Sequence, residues 1–223
     1  MHIAPGFLSP PVWGAMAAVS GVALAGSLAL ARRELDERKV PLMGVMGAFV
    51  FAAQMVNFPI LPGTSGHLGG GFLLGILLGA PLGVIVMASI LVVQALVFND
   101  GGVEALGANI FAMGVLPCLV GAAVRNLWRR PQPVLAYVLT FIGGVVVIVG
   151  GAACAVLFLW WSGQIPASVT LAQAMGLMTV IHIFIGLVEG GASVAIVRFV
   201  LGARPEAVWG IGASAPAAKE VAA

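Results

Sequence analysis

From Val134 to Trp161 the chain runs 28 residues without a single Asp, Glu, Lys or Arg. Crossing the roughly 30 Å hydrocarbon core of a bilayer takes about 20 such residues. In water, so long an apolar stretch would have to be covered on every side by other protein. The rest of the chain cannot supply that cover. It is 61% hydrophobic and only 8% charged, where soluble domains average roughly 45–50% and about 25%. The chain therefore reads as an all-α, polytopic membrane protein, because helices satisfy their own backbone in lipid. Its formal net charge of +2 leaves no basic footprint for nucleic acid.

About seven transmembrane segments can be marked off: Val12–Ala31, Pro41–Asn57, Leu68–Gly79, Leu82–Phe98, Glu104–Val124, Val134–Trp161 and Leu171–Leu201. Leu68–Gly79 is short, covering only about 18 Å at 1.5 Å per residue. Charge argues for counting it separately. Lys and Arg collect in cytoplasmic loops. The clusters Arg32–Lys39 and Arg125–Arg130 should share a side, which needs an even number of crossings between them. A separate, short or partly re-entrant helix at Leu68–Gly79 gives that even number. The N-terminus is then outside and the C-terminus inside, and no Lys or Arg falls in an outer loop.

A single transmembrane domain over 1–223 is expected. Residues 1–11 form an extracytoplasmic arm, 58–67 an outer loop, and 205–223 a cytoplasmic tail. No Lys or Arg precedes Arg32, so the opening lacks the basic region of a signal peptide. The free amine is expected at Met1 itself, because methionine before a bulky residue is usually retained.

Cys118 and Cys154 lie inside apolar runs with no Cys-x-x-Cys spacing, so they read as inert thiols. "MGVMGAFVFAAQ" sets Gly44, Ala48 and Ala52 on one helical stripe. Small residues let membrane helices approach closely. The stripe serves either internal packing or docking of another membrane protein.

Three histidines occur, His2, His67 and His182. On the expected topology His2 and His67 share the outer face. The Met1 amine and the His2 backbone nitrogen close a five-membered chelate ring on a metal. The His2 backbone nitrogen and imidazole Nδ1 close a six-membered one. A nitrogen from His67 would complete a square. Tetragonal nitrogen ligation suits Ni(II) or Cu(II), and low-spin Co(II) could accept it, whereas Mg2+ and Ca2+ prefer oxygen. Amine, amide and imidazole must all lose protons to ligate, which predicts a steep rise of affinity from about pH 5 to pH 8. From these residues alone, an ordinary polar loop histidine remains the alternative.

Gln54, Gln94, Asn109, His182 and Glu189 are polar residues within the expected helices. Ionisable groups at membrane depth are functional candidates. His182 and Glu189 share a helix face at i, i+7, either as a proton relay or paired inside the bundle. Asp100 and Glu104 lie at the outer mouth, where they could attract cations or orient a ligating imidazole. Asn109 is a further candidate for that supporting role. Two other readings remain from the residues: an intramembrane hydrolase built on Ser65 and His67, and a polar-solute permease using His182 and Glu189. No phosphate-binding glycine loop with its Lys is present.

"MHIAPGFLSPPVW", "GTSGHLGGG" and "NDGGVEALGAN" together resemble the CbiM/NikM family. These are the substrate-binding components of cobalt and nickel energy-coupling factor transporters. The resemblance implies a non-enzymatic metal carrier in a bacterial or archaeal cytoplasmic membrane, with Co2+ or Ni2+ as cargo and no resident cofactor. It implies Met1, His2 and His67 as ligands. It implies a transmembrane coupling subunit, cytoplasmic ATPase subunits and a small accessory membrane subunit as partners, with Ala48 and Ala52 as the docking motif. The metal would serve cobalamin synthesis or nickel enzymes. The family usually has Asp before the glycine of the opening motif, where this chain has Ala4-Pro5.

Overall fold

Prolines and glycines set most helix boundaries in the computed structural model, which describes residues 1–35, 37, 39–130 and 133–209. Helix α1 (Pro10–Glu34) opens on two prolines, whose missing N–H groups cost nothing in a first turn. Helix α2 (Lys39–Gln54) follows. Helix α3 (Gly71–Leu78) is buried at every residue. Gly79, at φ 85°, ends it, and α4 (Ala80–Val93) starts at once with Pro81 in its first turn. Residues Gln94–Phe98 continue α4 as a wider π-helical turn.

The next rod joins α5 (Leu106–Ile110), a π-helical turn at Phe111–Val115, and α6 (Leu116–Arg125). Pro117 has no N–H for the carbonyl of Met113, and a wide turn absorbs such a defect. The long helices α7 (Pro133–Trp161) and α8 (Leu171–Ala203) form the largest helix pair, and α9 (Pro205–Trp209) closes the described chain. Thr170 and Gln173 cap α8 reciprocally. An ideal Cβ on Gly144 would sit 2.6 Å from the Gly190 Cα, so the two backbones touch where only glycine fits.

Each of the expected apolar segments contains a helix. Among the described residues, five helices are long and apolar enough to cross a membrane: Pro10–Arg33, Ala80–Phe98, Leu106–Arg129, Pro133–Trp161 and Leu171–Ala203. Large apolar side chains stand bare on their outer faces, among them Val22, Val134, Phe184 and Phe199, as lipid contact requires. The short segment at Leu68–Gly79 becomes α3, whose eight residues cover about 12 Å at the helical rise. Asp36, Arg38 and residues 210–223 of the expected tail lie outside the described residues.

The 58–67 loop is more ordered than an all-helical reading implies. Phe58–Pro59 (β1) pairs antiparallel with Ser65–Gly66 (β2). Ile3 bridges to Thr64, adding the N-terminal arm as a third extended piece.

Candidate metal site

The arm is held by its backbone, as so short a segment without a helix must be. Ala4 N–H donates to Gly63 O at 2.9 Å and Ser65 N–H to His2 O at 3.3 Å. On the other side, Ile3 N–H donates to Asn109 Oδ1 at 3.0 Å, and Asn109 Nδ2 returns to Ile3 O at 3.3 Å. Gly6 N–H donates to Glu104 Oε1 at 2.6 Å. The "NDGG" loop lies so close that a Cβ on Gly102 would meet the Pro5 nitrogen at 2.9 Å. Asn109 and Glu104 thus anchor the arm's backbone and leave the imidazoles to other partners.

The arm buries its own end. Met1 is 1% exposed, His2 3% and His67 2%. The Met1 side chain points toward Gly69 and Gly151. The His2 and His67 rings lie face to face with centres 4.5 Å apart and planes at 29°. Imidazole lone pairs lie in the ring plane, so the stack brings two ligating side chains into one buried place without yet aiming both nitrogens at one point.

Three of the four ring nitrogens lack a hydrogen-bond partner. His67 Nδ1 lies 2.6 Å from Leu68 O, so Nδ1 carries the proton and donates, leaving a lone pair on Nε2. That Nε2 is buried with no hydrogen-bond partner, as is His2 Nε2. The His2 backbone N–H has no acceptor among the described residues. Unsatisfied buried polar groups are rare and call for a function. His2 Nδ1 faces Asp100 Oδ1 at 3.3 Å without hydrogen-bond alignment. Asp100 therefore stands beside His2 Nδ1 at the edge of the cluster.

Burial dominates the protonation of this cluster. It brings the Met1 amine from 8.0 down to about 4, against the opposing pull of Asp100. His2 falls to about 3 through burial and then the neighbouring amine, with Gln94 opposing. His67 falls well below 6.5 through burial, the amine and His2. Asp100 rises through burial, with the amine and Asn57 opposing. Burial thus disfavours the charged form of the amine and of both rings, and a nitrogen must be neutral to ligate.

A cleft leads to the site from the loop side, lined by His2, Asn57, Thr64, Ser65, Asp100 and Gly101. Its one charged lining residue is Asp100, so it favours cations. No three His, Cys, Asp or Glu side chains converge on a metal position among the described residues. The candidate donors are of another kind: an amine, a backbone nitrogen and two imidazoles.

The segment behind His67 is clamped from three helices. Gln54 Nε2 donates to Gly69 O at 2.5 Å, and Gln94 Nε2 to Gln54 Oε1 at 3.0 Å. The Glu189 carboxylate accepts Gly69 N–H at 3.0 Å and Gly70 N–H at 2.8 Å. Sequence reading picked out these polar residues but not their common target. The three consecutive glycines of "LGGG" were the available signal, because they expose backbone to side chains. His182 is fully buried in α8. Ser65 Oγ has no partner, so no Ser65–His67 hydrogen bond supports a nucleophile. Gly44, Ala48 and Ala52 are exposed on α2, and nothing lies within 4 Å of a Cβ on Gly44. Among the described residues the stripe is thus open surface.

Known proteins place the chain in a family. Residues 2–207 match the family model described as the cobalt uptake substrate-specific transmembrane region, CbiM. The chain belongs to the CbiM family. A relative from Haloquadratum walsbyi, named for metal transport, is 38% identical over 94% of each chain. The cobalt transport protein CbiM of Clostridium tetani is 28% identical over 90% of this chain and 84% of its own. A crystal structure described as a truncated transition metal transporter superposes with a TM-score of 0.80, at 30% identity, covering 91% of this chain and 99% of that one. This CbiM-family chain is thus a multi-pass membrane protein of cobalt and nickel transport. Other relatives carry further transport parts in the same chain, as in the fused nickel transport protein NikMN of Rhodobacter capsulatus, 36% identical over 58% of this chain and 38% of its own.

Proposed function

We propose that this protein is the substrate-binding component of an energy-coupling factor importer and binds Ni2+ or Co2+ through the Met1 amine, the His2 amide nitrogen, His2 Nδ1 and His67 Nε2. The observation that carries the reading is the buried pair of imidazoles at 4.5 Å beside a buried amine. The amine, amide and His2 ring form two fused chelate rings, and His67 closes the square. Such a set selects against hard oxygen-seeking cations. Asp100 draws the ion into the cleft, and Asn109 fixes the arm on which the chelate is built. The arm and the 58–67 loop form the extracytoplasmic face. Seven segments then put the C-terminus in the cytoplasm.

No group in the described site is suited to hydrolyse ATP, and energy comes from partner subunits. The exposed Ala48 and Ala52 on α2 receive the coupling subunit, with the ATPase subunits beneath it and a small accessory membrane subunit aiding metal loading. Purified protein should retain near-stoichiometric nickel or cobalt by elemental analysis. His67→Ala should lose most of that metal while keeping its helical content. Wild-type affinity in His67→Ala, measured by calorimetry, would remove His67 from the ligand set.

A further inference from the structure

The third histidine has a ligating nitrogen that the site above does not use. His182 Nδ1 lies 2.7 Å from Met178 O one turn earlier. That nitrogen therefore holds the proton and donates to the carbonyl. Its Nε2 keeps a bare lone pair, fully buried and without a partner. His67 has the same arrangement, with Nδ1 on Leu68 O and Nε2 free.

The two rings lie on one seam. Met178, His182, Ile185 and Glu189 occupy one face of α8 at spacings of four, three and four. The loop that carries His67 runs alongside that face. Thr64 Oγ1 is 3.9 Å from Met178 Sδ. A Cβ on Gly66 would meet Ile185 at 3.1 Å. Gly69 and Gly70 bond to Glu189. His182 sits between the first and second of these contacts, beside the loop that carries His67.

Resting on the metal reading above, we propose that His182 Nε2 and His67 Nε2 form a second, weaker position for the divalent cargo, into which the ion moves from the Met1–His2 chelate. Three ligating side chains do not converge on one point among the described residues, so His182 is not a further donor to the outer square. A separate position sharing one ligand fits instead. Imidazole suits nickel and cobalt alike, and water would complete the shell. The ion keeps His67 throughout, so it is never stripped of all ligands in a medium of low dielectric. Two imidazoles hold it less firmly than two fused chelate rings and an imidazole, which favours onward release. Farther along α8, Glu189, Ser193 and Ile196 border a crevice with Val50 of α2.

The test uses the purified full chain in detergent and Ni2+ alone, followed by calorimetry. The native terminus should show one tight site. One Gly placed before Met1 should remove it and leave a single weak site. That weak site should be lost on adding His182→Ala or His182→Gln, and equally on adding His67→Ala. Circular dichroism and melting temperature confirm that the variants fold, and Gln keeps the bulk if Ala does not fold. An extended protein with no residual site would overturn the second position, as would residual binding that both His182 substitutions leave unchanged. In either case the tight site of the native protein still stands. A native protein that binds no Ni2+ would remove the metal reading itself, and this proposal with it.

Discussion

The carboxylate of Glu189 accepts the backbone N–H of Gly70 at 2.8 Å, across 119 positions of sequence. The same carboxylate takes Gly69 N–H at 3.0 Å. One buried side chain of α8 thus fixes the turn between His67 and α3. Replacing it with Ala would strand two buried donors, at about 1–3 kcal/mol each. Glu189→Ala should lower the melting temperature and weaken Ni2+ binding by about 10–100-fold, as loss of a supporting group does. Glu189→Gln keeps one acceptor oxygen and should fall between. Unchanged affinity in Glu189→Ala, read by calorimetry, would detach this clamp from the metal site.

Much of the fold was legible because it is written in apolar run lengths and in the residues that interrupt them. Pro81 and Gly79 separate α3 from α4 in sequence and in space. The nearness of His2 to His67 was also accessible, since the expected topology put both at one face of the bundle. The clamp on Gly69 and Gly70 was not. Gln54, Gln94 and Glu189 come from three helices, and nothing local states that they meet. The small hairpin at Phe58–Pro59 and Ser65–Gly66 escaped notice because two-residue strands carry no periodicity. The two π-helical turns escaped likewise, although Pro117 marks one of them.

Proton release on binding should be smaller than nitrogen ligation alone suggests. The Met1 amine sits at about 4 and His2 at about 3 in the folded protein, so at pH 7 neither has a proton to give up. The backbone amide remains. Calorimetry in buffers of different ionisation heat should find about one proton per Ni2+ near neutral pH, in place of the several that separately protonated ligands would release. The sign for the metal-free arm follows by linkage. The amine's folded value, about 4, lies below its ordinary 8.0. Between those limits the undocked arm holds more protons, so docking gains stability as pH rises and loses it as pH falls. Hydrogen exchange at Ile3 and Ala4 should quicken steadily from about pH 8 to pH 5. Exchange that, after correction for its intrinsic pH dependence, shows no such loss of protection would show that the amine is not buried.

Ala48 and Ala52 face outward on α2, so enlarging them disturbs no internal contact. Ala48→Leu and Ala52→Leu should shift stability by no more than about 0.5 kcal/mol, as exposed substitutions do. Ni2+ binding should persist. Co-purification with the coupling subunit should fail, because close helix approach depends on small residues. An intact complex with both positions enlarged would leave the stripe as ordinary lipid-facing surface.

The terminal amine gives the sharpest test, because it can be removed without touching a side chain. One residue added before Met1 turns its nitrogen from a basic amine into an amide and moves the new amine one residue away. The chelate would have to re-form around a different ring pattern while His67 stays fixed by Glu189 and Gln54 through Gly69 and Gly70. Space forbids an easy rearrangement, since Met1 is 1% exposed and its side chain already approaches Gly69 and Gly151. Acetylation removes the same donor with less bulk. Tight Ni2+ binding and ATP-dependent uptake should vanish in the extended protein and persist in one tagged only at its C-terminus. Helical content should match in both, because the helices begin only at Pro10. Full uptake by an extended protein, shown by mass spectrometry to keep its extra residue, would mean that the amine at Met1 is not a ligand.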